Sequence, residues 1–192
     1  MIRIGYVVEG WRDRAFVHGL KERWCRGAEL IEGHFRGSTG LSISRELARS
    51  CKELLAKQAS FIVALRDANK EDWRDVRDRE TGRVPEQARH CTVYAVAARN
   101  MEDWLSADLG YLAHQLGIPV EDLRAGDVRA ALDRVVGARV SADGEDRIVG
   151  MVRAAPLKHW ILSSPSFEAF YEDVRSMAQR SGTCEIPNER ET

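Results

Sequence analysis

The sequence has no long apolar run, and this absence excludes a first class of proteins. None of its stretches approaches the roughly 20 apolar residues that a membrane-spanning helix needs. Near the start, Arg3 and Glu9 enclose only five apolar or small residues, too few for the apolar region of a secretory signal. We therefore expect no membrane contact and a cytoplasmic location.

Cysteine is scarce, and its spacing excludes two kinds of site. No two of the four cysteines stand at the C-x-x-C spacing of zinc ribbons and thioredoxin-type redox pairs, and we expect reduced thiols inside a cell. The chain also lacks the Gly-Lys-Ser/Thr ending of a Walker loop and the Gly-x-Ser-x-Gly turn of serine hydrolases. The glycine-rich stretch 33–40 is therefore predicted to be an ordinary loop, in which Arg36 either contacts a phosphate or is solvated.

An excess of charge of either sign is also missing. The 29 Lys and Arg residues nearly balance the 30 Asp and Glu residues, which leaves a formal net charge of −1. This balance excludes a generally basic protein that wraps nucleic acid, so any such contact must come from a local basic patch. With 44% hydrophobic residues, the chain can bury a core and is expected to fold.

Apolar runs alternate with helical periodicity over the first 110 residues. Helices are predicted over 11–25 and 41–58 and from 101 onward, one short helix with a loop over 70–90, and strands over 2–8, 28–31, 61–65 and 91–97. This order predicts an α/β fold with a mostly parallel sheet flanked by helices.

The remainder of the chain shows helices and turns only. The predicted organisation is an α/β core over 1–110, a helical extension packed on it over 111–180, and a flexible tail over 181–192. The extension is open to interpretation as a lid, a dimer surface or a cover for the core, so a homodimer is one possible arrangement.

An acid follows each of the three clearest strands. Glu9 follows the first, Asp67 the strand that begins at Phe61, and Glu102 the strand that begins at Cys91. The carboxyl ends of parallel strands meet at one edge of a sheet, where ligands bind. Clustered carboxylates repel one another unless a cation neutralises them, and their oxygen atoms suit Mg²⁺, or Mn²⁺ in its place. Neither His nor Cys stands at these positions, which disfavours zinc.

Each of these polar residues also has an ordinary structural interpretation. Asp13 and Glu102 suit the first turn of a helix, where acids favour the helix dipole, while Asp67 and Asn69 suit a turn. Lys158 either supports the site by neutralising charge on a phosphate or is a surface lysine. The coincidence of acids at three strand ends favours a site.

Four segments resemble Toprim-like domains in their order and spacing. They are VVEGWRDRAF at 7–16, FIVALRDAN at 61–69, ARNMEDWLSAD at 98–108 and SPSFEAFYEDV at 164–174. The first resembles the Glu-Gly opening of Toprim domains, and the second resembles the strand that ends in Asp-x-Asp. The last two resemble segments of small stand-alone members of the DUF4276-like and RloB-like kind, which are related to nucleases of the OLD type.

This resemblance implies a Toprim-like fold and a Mg²⁺-dependent endonuclease, with links to phage defence and a partner ATPase. By position, Glu9, Asp67 and Glu102 would be the catalytic and metal-binding residues, with Asn69 as a further ligand and Asp13 in support. Asn69 departs from the family pattern, because an amide replaces the second Asp and brings no negative charge. Glu71 or Asp72 would have to compensate.

Three functions therefore remain in view. The first is a metal-dependent nuclease that cleaves phosphodiester bonds in nucleic acid. The second is a non-catalytic subunit that binds nucleic acid or a partner protein, a reading favoured by Asn69 and by the near-zero net charge. The third is a phosphoryl-transfer enzyme that acts on small molecules with the same acids.

Overall fold

A computed structural model describes residues 2–33 and 40–191 of the chain, without the side chains of residues 40–42 and 125. The predicted loop 33–40 and its Arg36 fall almost wholly outside these residues.

The described residues contain one sheet of four parallel strands. In chain order the strands are β1 (Arg3–Val8), β2 (Glu29–Glu32), β3 (Phe61–Asp67) and β4 (Thr92–Ala97), and their order across the sheet is β2-β1-β3-β4. In the register, Val8 lies beside Leu65, and Asp67 lies beside Ala97. The predicted α/β fold with a parallel sheet and helices on its flanks is confirmed.

Helices connect the strands and make up the whole second half of the chain. They are α1 (Trp11–Trp24), α2 (Gly40–Ala56), α3 (Trp73–Thr81), α4 (Glu86–Arg89), α5 (Met101–Leu105), α6 (Leu109–Leu116), α7 (Val120–Ala125), α8 (Val128–Val136), α9 (Ala142–Ala154), α10 (Leu157–Ser163) and α11 (Pro165–Ser181), with a 3₁₀ turn at Ser106–Asp108.

Local capping explains where several of these helices begin. Asn100 caps α5, because its side-chain oxygen accepts a hydrogen bond from the backbone N–H of Asp103 at 3.1 Å. Between residues 70 and 90 the structure has two helices, whereas one was predicted. Asp72 starts the first of them by accepting the N–H of Arg74 at 2.8 Å, and Pro85 precedes the second.

The sheet is buried on both faces, because successive side chains of each strand enter different apolar clusters. In β3, Phe61, Val63 and Leu65 belong to one cluster, while Ile62 and Ala64 belong to the other. The first cluster lies beneath α1 and α5–α11, and the second beneath α2, α3 and α4. The fold therefore has three layers, with the sheet in the middle.

Close helix contacts at two glycines set the positions of the flanking layers. A Cβ atom on Gly5 of β1 would lie 2.9 Å from a methyl carbon of Leu54, so α2 approaches the sheet closely there. A Cβ atom on Gly19 of α1 would lie 2.6 Å from the Cβ atom of Val152 in α9. The all-helical half of the chain thus packs directly on the helix that follows β1.

An aromatic cluster joins elements from both sides of residue 110. Phe16 of α1 packs against Trp104 of α5, Trp160 of α10 and Phe167 of α11, with ring centroids 5.4, 6.1 and 6.5 Å apart. The helices of the extension therefore share the apolar cluster that covers one face of the sheet.

The segment predicted to be a flexible tail is packed on the body of the protein. Cys184 forms a disulfide with Cys25 at the end of α1, which differs from the predicted reduced thiols. Glu189 is buried and accepts hydrogen bonds from two guanidinium nitrogens of Arg23, each at 2.6 Å, and from the indole N–H of Trp24 at 2.9 Å. Sequence periodicity gives no sign of this docking, because the contacts join residues more than 150 positions apart.

Candidate active site

The ends of β1, β3 and β4 bring the three predicted acids to one cavity. Glu9 directly follows β1, Asp67 is the last residue of β3, and Glu102 lies in the first turn of α5 after β4. The backbone N–H of Asp67 donates a hydrogen bond to Oε1 of Glu9 at 3.3 Å. All three residues line a cavity of about 640 Å³.

Asp13 lines the same cavity and also serves its helix. It is buried in the first turn of α1, and its Oδ2 accepts the backbone N–H of Gly10 at 2.9 Å. Asp13 is therefore both a first-turn acid of α1 and a residue of the cavity lining, so its two predicted roles are compatible.

Asn69 likewise is both a turn residue and part of the cavity lining. Its φ of 57° lies in the left-handed region, which Asn adopts more readily than most residues. Its backbone N–H donates to the carbonyl oxygen of Arg99 at 2.9 Å. The chain thus turns at Asn69 while its amide side chain stays beside the acids.

The carboxyl groups act on one another through their charges. Burial, followed by the charges of Glu9 and Glu102, raises the pKa of Asp67 to about 7. Burial also raises the pKa of Asp13 well above its ordinary value, and the charges of Asp67, Glu102 and Glu9 add to this effect. The pKa of Glu9 is raised by burial, against the opposing effects of the Asp67 N–H and of Arg66. A cation in this cavity would relieve the repulsion among these carboxylates.

Two buried arginines partly neutralise the acids. The guanidinium of Arg12 donates to Oε1 of Glu102 at 2.9 Å and pairs with Asp133 of α8. Nε of Arg66 lies 3.8 Å from Oε1 of Glu9, and Nη1 of Arg66 lies 3.3 Å from Oε1 of the buried Glu80. Of these paired residues, only Glu9 and Glu102 are predicted from the sequence. The pairs themselves cannot be predicted, because they join positions far apart in the chain.

A second cavity, of about 330 Å³, adjoins the first and shares Glu102 and Arg129 with it. Its lining also includes Arg99, Asp103 and residues 126–128. The side chains of Arg99 and Arg129 are 79% and 61% exposed, so both guanidinium groups are accessible to a ligand. They share the lining with three acids, and Arg99 lies 3.5 Å from Asp103 while Arg129 lies 4.0 Å from Glu102.

Three residues considered for the site lie outside its lining. Lys158 is exposed on α10 and does not reach the cavity, so the structure does not bring it to the acids. Glu71 pairs with Arg79 at 2.8 Å, and Asp72 caps α3. Neither of these two acids supplies the charge that Asn69 lacks.

The donor atoms suit Mg²⁺ or Mn²⁺, although the acids do not form a closed cage. Within residues 2–33 and 40–191, no group of three or more His, Cys, Asp and Glu side chains is arranged to hold a metal ion. Mg²⁺ commonly binds through one or two carboxylates and keeps several waters, with substrate phosphate oxygens as further ligands. The neighbouring Glu9 and Asp67 provide two such carboxylates, so the residues present fit an open, partly hydrated site.

Comparisons of the chain with protein-family models, with curated proteins and with solved structures give no match. The Toprim-like resemblance therefore stays a prediction. None of the helices described here is long and apolar enough to cross a membrane.

Proposed function

We propose that the protein is a divalent-cation-dependent nuclease that cleaves phosphodiester bonds. The observation that carries this proposal is the cavity at the strand ends, which Glu9, Asp13, Asp67 and Glu102 line and in which burial and the charges of Glu9 and Glu102 raise the pKa values of Asp13 and Asp67. Ionising these buried carboxylates together is unfavourable, and a cationic ligand would stabilise their ionised forms.

Glu9 and Asp67 would hold Mg²⁺ or Mn²⁺, with the Asn69 amide and Glu102 as further oxygen ligands. When bound, the cation would supply charge stabilisation on a phosphodiester oxygen and lower the pKa of a water molecule. Glu9 is partly exposed, and its carboxylate would also be placed to accept a proton from that water molecule.

The adjoining cavity supports a polynucleotide over a small phosphate ester as the substrate. Arg99 and Arg129 lie beside the acids and are exposed, so they can each contact a phosphate next to the one that is cleaved. A small ester has no second phosphate for these side chains. A phosphate contact made by these two arginines is compatible with the near-zero net charge of the whole chain.

The resemblance to stand-alone Toprim-like proteins supports the remaining parts of the proposal. These parts are a role in phage defence and a partner ATPase. We place the protein in the cytoplasm, although the Cys25–Cys184 disulfide is more typical of oxidising compartments. A homodimer is an alternative arrangement of the protein.

A cleavage assay tests the activity. Plasmid DNA, single-stranded DNA and total tRNA are incubated with the protein and Mg²⁺ or Mn²⁺. The wild type is compared with Glu9→Gln, which removes the charge without changing the size of the side chain. We expect Glu9→Gln to cleave at least about 100-fold more slowly.

Glu71→Gln is the matched control, because Glu71 follows β3 but pairs with Arg79 outside the cavity. It should cleave within about twofold of the wild type. Equal cleavage by the wild type and Glu9→Gln would contradict the proposal.

A non-catalytic binding subunit is the second candidate, favoured by the uncharged Asn69 and by the pairing of Arg12 with Glu102. It predicts that the wild type binds one of these nucleic acids without cleaving it in either cation.

A further inference from the structure

Arg12 occupies an unusual position at the proposed cation site. Its guanidinium lies between the carboxylates of Glu102 and Asp133, and one of its nitrogens is 3.4 Å from the carbonyl oxygen of Gly137. Its side chain is only 10% exposed, and it lines the cavity together with the acids. The lining of the cavity therefore includes the positive charge of the Arg12 guanidinium.

The two carboxylates that hold Arg12 differ in their surroundings. Glu102 is buried and acts on the other acids, whereas Asp133 of α8 lines the same cavity with a side chain that is 36% exposed. The Nε atom of Arg12 is buried without a hydrogen-bond partner in the described structure. The guanidinium is thus held on two sides, by Glu102 through one nitrogen and by Asp133 and the Gly137 carbonyl through the other.

A guanidinium 2.9 Å from Glu102 competes with any metal ion for that carboxylate. Like charges in a partly buried cavity repel strongly, because the effective dielectric constant there is well below that of water. A divalent cation bound at Glu102 would therefore repel Arg12 in its present position, and Arg12 would weaken the binding of that cation.

We propose that Arg12 is an internal counter-cation that neutralises Glu102 until a divalent cation takes its place at that carboxylate, after which the guanidinium keeps its pairing with Asp133. This inference rests on the proposed function, and it adds a control on how readily the site takes up its metal. It also couples the metal to α8, because Asp133 on that helix would then be the carboxylate that holds the guanidinium.

Metal binding in the absence of nucleic acid tests the inference. Mn²⁺ is titrated into the full-length protein at pH 8, and free Mn²⁺ is followed by electron paramagnetic resonance. Arg12→Gln removes the competing charge, so we expect it to bind Mn²⁺ about tenfold or more tightly than the wild type.

Asp133→Asn should change the affinity in the opposite direction. It removes the carboxylate that shares the guanidinium with Glu102, which leaves Glu102 as the one carboxylate that pairs with Arg12 among the described residues. We expect this variant to bind Mn²⁺ at least about threefold more weakly. Since Asp133 is partly exposed, this variant also keeps the test valid if Arg12→Gln fails to fold.

Arg14→Gln is the matched control. Arg14 lies on the same helix and pairs with Glu145 of α9, outside the cavity lining, so its loss should leave the Mn²⁺ affinity within about twofold.

A merely structural role for Arg12 would give a different pattern. Weaker Mn²⁺ binding by Arg12→Gln, or an affinity equal to that of the wild type, would overturn the inference and leave the proposed nuclease standing. If neither the wild type nor any variant bound Mn²⁺, the proposed cation site would fail, and the inference with it.

Discussion

At Asp67, burial and neighbouring charge act against the ionised form that metal binding requires. The pKa of this carboxyl rises from 3.8 to about 7, first through burial and then through Glu9 and Glu102. Because the folded pKa lies above the unfolded one, the folded protein retains a proton that the unfolded chain releases. In the absence of metal, the free energy of unfolding therefore falls as the pH rises from about 4 to about 7, and this loss stays constant above that range.

Asp67→Asn should consequently stabilise the metal-free protein. The amide keeps the shape of the side chain but never ionises, so the variant avoids the loss of stability that the wild type shows with rising pH. We expect its Tm in EDTA to exceed that of the wild type by about 5 °C at pH 8 and by little at pH 4.

Differential scanning fluorimetry at a series of pH values measures this difference. A Tm difference that is the same at pH 4 and pH 8 would show that the Asp67 carboxyl does not titrate in this range.

At the scale of elements, local sequence signals and long-range pairings differ in how well they can be predicted. The apolar run Phe61–Leu65 and the cap at Asn100 depend on neighbouring residues, and both are visible in the sequence. The helix α4 has only four residues, too few to show a periodicity, so a loop was predicted in its place.

The same distinction applies to the candidate site. Glu9, Asp67 and Glu102 could be found because each stands at the end of a strand or within a few residues after it, and parallel strands end at one edge. Arg12 and Asp133 could not be paired, because they are 121 positions apart and the packing of α8 joins them. The sequence thus predicts the acids but not the arginine that controls their charge.

At the scale of the whole molecule, the end of the chain is tied to the helix that follows β1. The disulfide between Cys25 and Cys184 closes a loop with a sequence separation of 159 residues, and the buried Glu189 pairs with Arg23 close to it. A crosslink over so long a loop restricts the unfolded chain strongly in the chain-entropy model. The disulfide and this ion pair therefore fix the C-terminal segment of the chain to the end of α1.

Reduction should lower the stability of the wild type. With dithiothreitol we expect the Tm to fall by roughly 5–15 °C, which corresponds to about 2–5 kcal/mol for the loss of such a crosslink. The Tm of Cys184→Ser should not respond to dithiothreitol, because Cys51 and Cys91 are free.

Thiol titration in denaturant without reductant provides the direct check. Two reactive thiols per chain are expected, from Cys51 and Cys91. Four would mean that the pair is reduced.

The central claim is that the carboxylates at the strand ends form a site for a divalent cation. It is tested most directly by isothermal titration of Mn²⁺ into the wild type and Asp67→Asn at pH 8, where Asp67 is ionised. We predict binding to the wild type and at least about tenfold weaker binding to Asp67→Asn, since the variant loses a charged ligand. Equal affinity in the two proteins would contradict the account.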